Sequence, residues 1–362
     1  MKILIIDCLF VPSLKGKIAG GVQIFTRNQM ELLDSLGETY YITAAGSNKI
    51  YENQFILNNI FSSINSTRQE KIKVTKAVNE EILSIIRKIN PDLVLDSSCK
   101  HITSVWPSYK NGIVFEHYHC PSFPLAKEIK NRFTNSGIHW IGVSKWQKQR
   151  FNNLFDDTIN IHYIKDRPKE IKQSEEYGVF IGRWDPNKSP HIIFNNYLKS
   201  GIKHPIECFI KGNLEEKNLK ILMKNPQLKF HIDAPREQIF NVVSKAMFGL
   251  GMGKESTGIS CLEYVTHGVP YIVSGSKITA EQEHLPANSI YFCDRSLEKT
   301  IPEQIYDAVT DIETWNLENR IAISEYVCNK YNKEHFVNEH KRVITPYLNR
   351  GMYGLSDCSS FL

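Results

Sequence analysis

Along the chain, short runs of β-branched and other apolar residues alternate with longer stretches whose apolar positions recur every three or four residues. The first pattern predicts strands and the second amphipathic helices, so their alternation predicts an α/β protein with parallel sheets. Met1–Asp7 reads as the first strand, and a glycine-containing loop follows it as far as Ala19-Gly20-Gly21. Val22–Leu36 then reads as a helix with Ile24, Phe25, Met30, Leu32 and Leu33 on its buried face, stopped by Gly37. Further strands are expected at Tyr40–Thr43, Asp92–Asp96, Gly112–Glu116 and Ile138–Val143. Helices are expected at Val78–Ile89, broken by Asn90-Pro91, and from the cap Ser144 to Phe155.

Between 163 and 176 the chain turns polar, rich in Lys, Asp, Arg, Pro and Glu, as a linker would be. The strand pattern restarts at Tyr177–Ile181 and continues at Glu207–Ile210, Lys229–Ile232, Gly249–Met252 and Tyr271–Ser274. Two successive doubly wound, Rossmann-like units are the economical reading, 1–165 and 166–340. Residues 341–362 are expected to form a helix end and tail that packs back on the first unit. In such sheets ligands bind beyond the carboxyl ends of the strands.

Length agrees, since 362 residues exceed one ordinary core and suit two domains. Hydrophobic residues at 41% and charged residues at 23% exclude a disordered chain. No apolar run approaches the roughly 18–20 residues that cross a bilayer, and Asp7 interrupts the apolar start without a small-residue cleavage site. A cytoplasmic protein is therefore expected. Eight cysteines stand singly with no Cys-x-x-Cys pair, which reads as reduced, mostly buried thiols. The net charge of +5 describes a mildly basic surface and is compatible with a polyanionic partner.

The most informative stretch runs from Gly249 to Gly275. A strand delivers the chain to Gly253-Lys254-Glu255-Ser256-Thr257-Gly258-Ile259, a helix carries Leu262, Glu263, Tyr264 and Val265, and His267-Gly268-Val269-Pro270 leads into the next strand. Glu255 and Glu263, eight positions apart, fall on one side of a helix, one at its mouth and one about two turns deeper. Amides of Ser256–Ile259 at the helix start suit a diphosphate, and a buried Glu263 can accept hydrogen bonds from ribose hydroxyls. Two solvated glutamates are the bland alternative, and the strand–glycine–Glu–Gly–Glu–Gly-x-Pro–strand context argues against it. A second marker, Gly182-Arg183-Trp184-Asp185-Pro186-Asn187-Lys188-Ser189-Pro190, places Arg183 and Lys188 across a tight turn where both can neutralise a diphosphate. In the first half, Gly20-Gly21 can let the backbone approach a ligand, or can be a plain turn. No Gly-x-Gly-x-x-Gly and no Gly-Lys-Ser/Thr phosphate loop exists, so dehydrogenase and kinase readings lack their marks. Glu116-His117-Tyr118-His119-Cys120 offers metal-ligating types, but alternating neighbours on an extended chain seldom wrap one ion, and no metal site is assigned.

Taken together, these segments resemble the retaining GT-B glycosyltransferases with the Glu-seven-residues-Glu signature (glycosyltransferase group 1). Thr257 stands where that family usually has Phe, and Ser189 where it has Gly. The resemblance implies a GT-B fold, two Rossmann-like domains facing a cleft, with the first on the acceptor side and the second binding the nucleotide sugar. It also implies that Gly20, Gly21, Arg183, Lys188, Glu255, Ser256, Thr257, Gly258, Ile259 and Glu263 bind the donor. His117, Glu255, Arg183 and Lys188 would be catalytic, with His117 reaching the transferred sugar. The stretch Ala234-Pro235-Arg236-Glu237-Gln238-Ile239, before a helix, stands where the family places the loop that receives the nucleobase, and Lys211-Gly212-Asn213 would lie near the donor. No cofactor and no divalent metal would be required. Phage DNA α-glucosyltransferases resemble this chain at His117-Tyr118-His119, where they carry His-Asp-His. The implied acceptor is accordingly a hydroxymethylated base in duplex DNA, in the host cytoplasm if phage-encoded, with a bacterial surface glycan or lipid-linked precursor as the alternative. Basic and aromatic residues at Lys127–Phe133 and Lys145–Phe151 could line an anionic groove. A non-catalytic sugar-nucleotide or DNA-binding protein is the reading from a different class.

Overall fold

In a computed structural model the chain divides into two compact units, one ending at Tyr163 and resuming at Lys333, the other running Ile164–Asn332. The structure describes residues 1–7, 9, 21–58, 68–98, 112–119, 138–150, 155–159, 162–165, 167–184, 190–212, 215–253, 259–275, 285–294 and 298–354.

Among its described residues the first unit holds seven strands: β1 (Lys2–Ile6), β2 (Glu38–Thr43), β3 (Gln54–Ile56), β4 (Leu93–Asp96), β5 (Ile113–Tyr118), β6 (Ile138–Gly142) and β7 (Asp157–Thr158). Their order is β3-β2-β1-β4-β5-β6-β7 and every pairing is parallel. A parallel sheet is covered on both faces, which is why Ile3–Ile6 are all fully buried rather than alternating with polar residues. The helices among the described residues are α1 (Gly21–Leu32), α2 (Arg68–Ile89) and α3 (Lys145–Arg150). Leu4, Ile6, Val94 and Val114 pack on one face with Val78, Ile82, Ile86 and Ile89 of α2. Ile3, Ile5, Leu93, Leu95 and Phe115 pack on the other with Phe25 and Met30 of α1. Ser144 caps α3 as expected, its Oγ accepting from the Gln147 amide at 3.1 Å.

The second unit holds β8 (Gly178–Trp184), β9 (Ile206–Gly212), β10 (Leu228–Ile232), β11 (Phe248–Gly253), β12 (Tyr271–Gly275) and β13 (Ile290–Cys293), in the order β10-β9-β8-β11-β12-β13. All pairings are again parallel. Read from its own first strand this is the 3-2-1-4-5-6 order of a doubly wound domain, with the switch point between β8 and β11. Its helices are α4 (Pro190–Lys199), α5 (Lys217–Leu222), α6 (Arg236–Val243), α7 (Ile259–Thr266), α8 (Ile301–Glu313) and α9 (Leu317–Lys330). Cys208, Cys261 and Cys293 are buried thiols outside any disulfide, as small apolar side chains would be.

The switch point of this unit is held by a tyrosine. The β8–β11 ladder runs from Gly178–Phe180 against Phe248–Leu250. Beyond it, the Tyr264 hydroxyl from α7 accepts the Ile181 amide at 2.5 Å and lies 3.5 Å from the Leu250 carbonyl. Glycines in β11 make room for the aromatic layer: a Cβ on Gly249 would sit 2.8 Å from the Tyr264 ring, and one on Gly251 would sit 1.8 Å from the Tyr271 hydroxyl. The glycine content of this strand is thus a packing requirement.

The last helix, α10 (Lys333–Gly354), returns to the first unit. Phe336, Val343 and Ile344 join the face covered by α1, Gln29 bonds His340 at 3.0 Å, and Arg342 pairs with Asp157 at 2.9 Å. Residues 333–340 therefore go with the first unit too, because the helix is continuous from Lys333. The Phe25 ring collects His117, His119, His162 and His340 around it at centroid distances of 5.3–5.8 Å. Burial drives these imidazoles neutral: His162 and His340 fall to about 4, His119 to about 3, and His117 is lowered well below the usual value.

Where sequence and structure differ, the causes are local. Helix α2 starts ten residues before the expected Val78, at Arg68. Strands β3, β7 and β13 are too short to show a period, at three, two and four residues. Strand β5 runs on to Tyr118, so His117 lies within it rather than after it.

Two outcomes follow from this packing. As pH falls below about 6.5 the unfolded chain takes up protons that the buried histidines refuse, so stability should drop progressively down to about pH 4. Thermal melts from pH 7 to 4.5 should show that loss, and His340→Leu should start less stable but lose less over the same interval. Tyr264→Phe removes the partner of the Ile181 amide and should destabilise the second unit by about 1–3 kcal/mol in chemical denaturation; an unchanged midpoint would show that the hydroxyl does not hold the switch point.

Candidate donor site in the second unit

Arg183 is the penultimate residue of β8, so its side chain sits at the carboxyl edge of the sheet. Neighbouring residues of a strand face opposite ways, and here Trp184 is buried while Arg183 is exposed. Trp184 donates Nε1–H to Glu216 Oε2 at 3.1 Å, and Glu216 caps α5 through the Leu219 amide at 2.9 Å. That anchoring fixes the end of β8 and directs Arg183 to the other face. Arg183 is in register with Lys211 of β9, and paired residues of parallel strands share a face, so two cations flank one point on the sheet edge.

Helix α7 starts at Ile259 beyond the carboxyl end of β11, next to β8 in the sheet. Arg183 and the α7 amino terminus therefore share one sheet edge, and a helix amino terminus presents its positive dipole end. Four residues along α7, Glu263 is only 6% exposed, and it pairs with Arg236 through Oε1 and Nη2 at 2.5 Å. Arg236 opens α6, and its guanidinium lies 4.6 Å from the centroid of the Phe240 ring. Phe240 in turn stacks on His267, with centroids 4.9 Å apart and an interplanar angle of 4°. His267 Nδ1–H donates to the Glu263 carbonyl at 2.9 Å. Four side chains thus form a closed circuit between α6 and α7.

Among the residues expected at the site, Arg183 lies near the end of β8, and Ile259 and Glu263 lie on α7 in the same unit. Gly21 opens α1 in the first unit. His117 also lies in the first unit, within β5 and 1% exposed. Its Nδ1 is 3.4 Å from Ser97 Oγ, the same hydroxyl that His119 Nε2 approaches at 3.2 Å. Its Nε2 has no hydrogen-bond partner among the described residues. Gly20, Lys188, Glu255, Ser256, Thr257 and Gly258 lie outside the described residues, as do Lys127–Phe133. No group of three or more His, Cys, Asp or Glu suited to a metal occurs among the described residues. No helix among them is long and apolar enough to cross a membrane. The sequence did not announce Arg236 as a partner of Glu263. The two are 27 positions apart on different helices, a separation with no periodic meaning.

Residues 164–315 match the family described as Glycosyl transferases group 1, a segment that takes in β8, α7 and both ends of the circuit. No curated protein sequence matches. Among solved structures, the chain is similar to a sucrose-phosphate synthase from Thermosynechococcus elongatus, with 14% identity, a TM-score of 0.73 and coverage of 96% of this chain and 99% of that one. It is similar to Anabaena HepE in complex with UDP-glucose, with 10% identity, a TM-score of 0.67 and coverage of 96% and 100%. It is also similar to WaaG, a glycosyltransferase of lipopolysaccharide biosynthesis, with 11% identity, a TM-score of 0.63 and coverage of 95% and 99%. The fold is α/β of the GT-B type, and residues 164–315 carry the likeness to the glycosyl transferases group 1.

Proposed function

We propose that the chain is a retaining glycosyltransferase that moves a sugar from a UDP-sugar to an acceptor hydroxyl. The observation that carries this reading is that β8, which ends with the exposed Arg183, lies beside the strand that leads into α7, which carries the buried Glu263. A cation suits the diphosphate and a buried carboxylate suits ribose hydroxyls. The similarity to HepE bound to UDP-glucose supports uridine as the base and glucose as a first sugar to try.

Transfer with retention and without an obvious nucleophile proceeds on the front face. The bond from the anomeric carbon to the diphosphate breaks, the sugar becomes oxocarbenium-like, and the acceptor oxygen bonds the anomeric carbon on the same face while the departing diphosphate takes its proton. Arg183, Lys188 and the amides of Ser256–Ile259 stabilise the charge gathering on the leaving group, the largest catalytic contribution in such a site. Glu255 positions the sugar, and His117 is the first unit's candidate for a substrate contact. Protein cations do here what a divalent ion does in metal-dependent transferases, so EDTA should leave turnover unchanged.

For the acceptor, the net charge of +5, the His117-Tyr118-His119 match and the basic α3 with its exposed Lys145 favour a hydroxymethylated base in duplex DNA. A surface glycan is the second reading, favoured by the similarity to WaaG.

Incubation with a panel of nucleotide sugars should release a nucleoside diphosphate, UDP from UDP-glucose first. Absence of release from every donor would overturn the reading. Lys188→Ala should cut that rate about 10²–10³-fold, as loss of a group that meets developing charge does. Filter binding of duplex DNA at two salt concentrations should show affinity falling as salt rises. Affinity that ignores salt, or no affinity, would move the acceptor to the glycan class.

A further inference from the structure

We propose that Arg236 is a positioning residue for the donor, and that the stack of Arg236 on Phe240 and of Phe240 on His267 is the brace through which it acts. The inference rests on the reading that Glu263 meets the ribose of the nucleotide. A glutamate has three rotatable bonds, and a carboxylate held out of water turns towards whatever cation is in reach. Among the described residues, Arg236 is its one hydrogen-bond partner, and it takes Oε1 alone. Oε2 makes no hydrogen bond to any described group, which leaves it to accept from a hydroxyl. Orientation of the carboxylate is thus set by where the guanidinium stands.

The guanidinium is itself placed from two directions. It belongs to the first turn of α6, and Phe240, one turn further on, lies under it at 4.6 Å. Phe240 cannot swing aside, because its other face is covered by His267 with nearly coplanar rings. His267 then bonds the carbonyl of Glu263 itself, so the brace ends on the residue it positions. Arginine suits the post because its planar fork can stack and donate at once, which an ammonium cannot. The circuit ties the amino terminus of α6 to α7, the helix whose start lies beside Arg183.

Initial-rate kinetics with the varied nucleotide sugar test this. Arg236→Gln should raise the donor KM tenfold or more, equal to about 1.4 kcal/mol of binding, while kcat stays within about threefold, because ribose contacts are equal in ground and transition states. Arg236→Lys should recover part of the loss, and Phe240→Leu should raise the donor KM in the same direction with the ion pair retained. The acceptor KM should not move. A folded Arg236→Gln protein with the wild-type donor KM would overturn the proposal, and so would a loss confined to kcat. Should Arg236→Gln fail to fold, Phe240→Leu decides: a donor KM equal to wild type overturns the brace. Calorimetric titration of wild-type protein with UDP separates the two layers. No binding and no turnover would sink the transferase reading itself, and a donor KM indifferent to Glu263→Gln would sink its ribose contact. A donor KM that responds to Glu263→Gln but not to Arg236→Gln would sink only this inference.

Discussion

The arrangement of the second unit depends on one aromatic side chain at the point where its sheet changes direction. Strands β8 and β11 lie side by side but their connections leave in opposite directions, and the ladder between them stops at Phe180 and Leu250. A buried amide left there without a partner would be costly. The Tyr264 hydroxyl meets the amide of Ile181 and closes the gap. Because Tyr264 belongs to α7, the same contact that completes the sheet fixes the rotation and depth of the helix. Glu263 is its neighbour in sequence, so a fold requirement and a candidate ligand contact are set by one helix position. The small residues Gly249 and Gly251 on β11 are the counterpart of that choice.

Electrostatics builds on the same geometry. Burying Glu263 beside an aromatic layer would be unfavourable without compensation, and Arg236 supplies it from another helix. At the edge of the sheet Arg183 and Lys211 stand opposite one another, like charges that favour an anion between them. One end of the site is therefore cationic and the other holds a carboxylate, the polarity that a nucleoside diphosphate presents in reverse: anionic phosphates at one end and hydroxyl donors at the other. The first unit uses a different principle, a ring of neutral imidazoles around Phe25 that ties α10 to the sheet.

Much of the fold was legible because parallel strands are buried on both faces and so appear as unbroken apolar runs; Lys2–Ile6, Leu93–Asp96 and Tyr271–Gly275 all stand where such runs occur. Short edge strands such as Asp157–Thr158 carry too few residues to have a pattern. Among the candidate site residues, Glu263 could be named because strand, glycine loop and helix follow one another locally, and a local series survives in sequence. Its partner Arg236 could not, since helices α6 and α7 meet only through the fold. The burial of His117 was equally out of reach: it depends on Phe25 of α1 and His340 of α10, from opposite ends of the chain.

The central claim is that the second unit grips the nucleotide sugar through the end of β8 and the start of α7. Amide hydrogen exchange followed by mass spectrometry, with and without UDP-glucose, examines it most directly. The account predicts slowed exchange in peptides covering 181–190 and 254–263. Slowing confined to other segments, or unaltered exchange at a donor concentration that supports turnover, would contradict it.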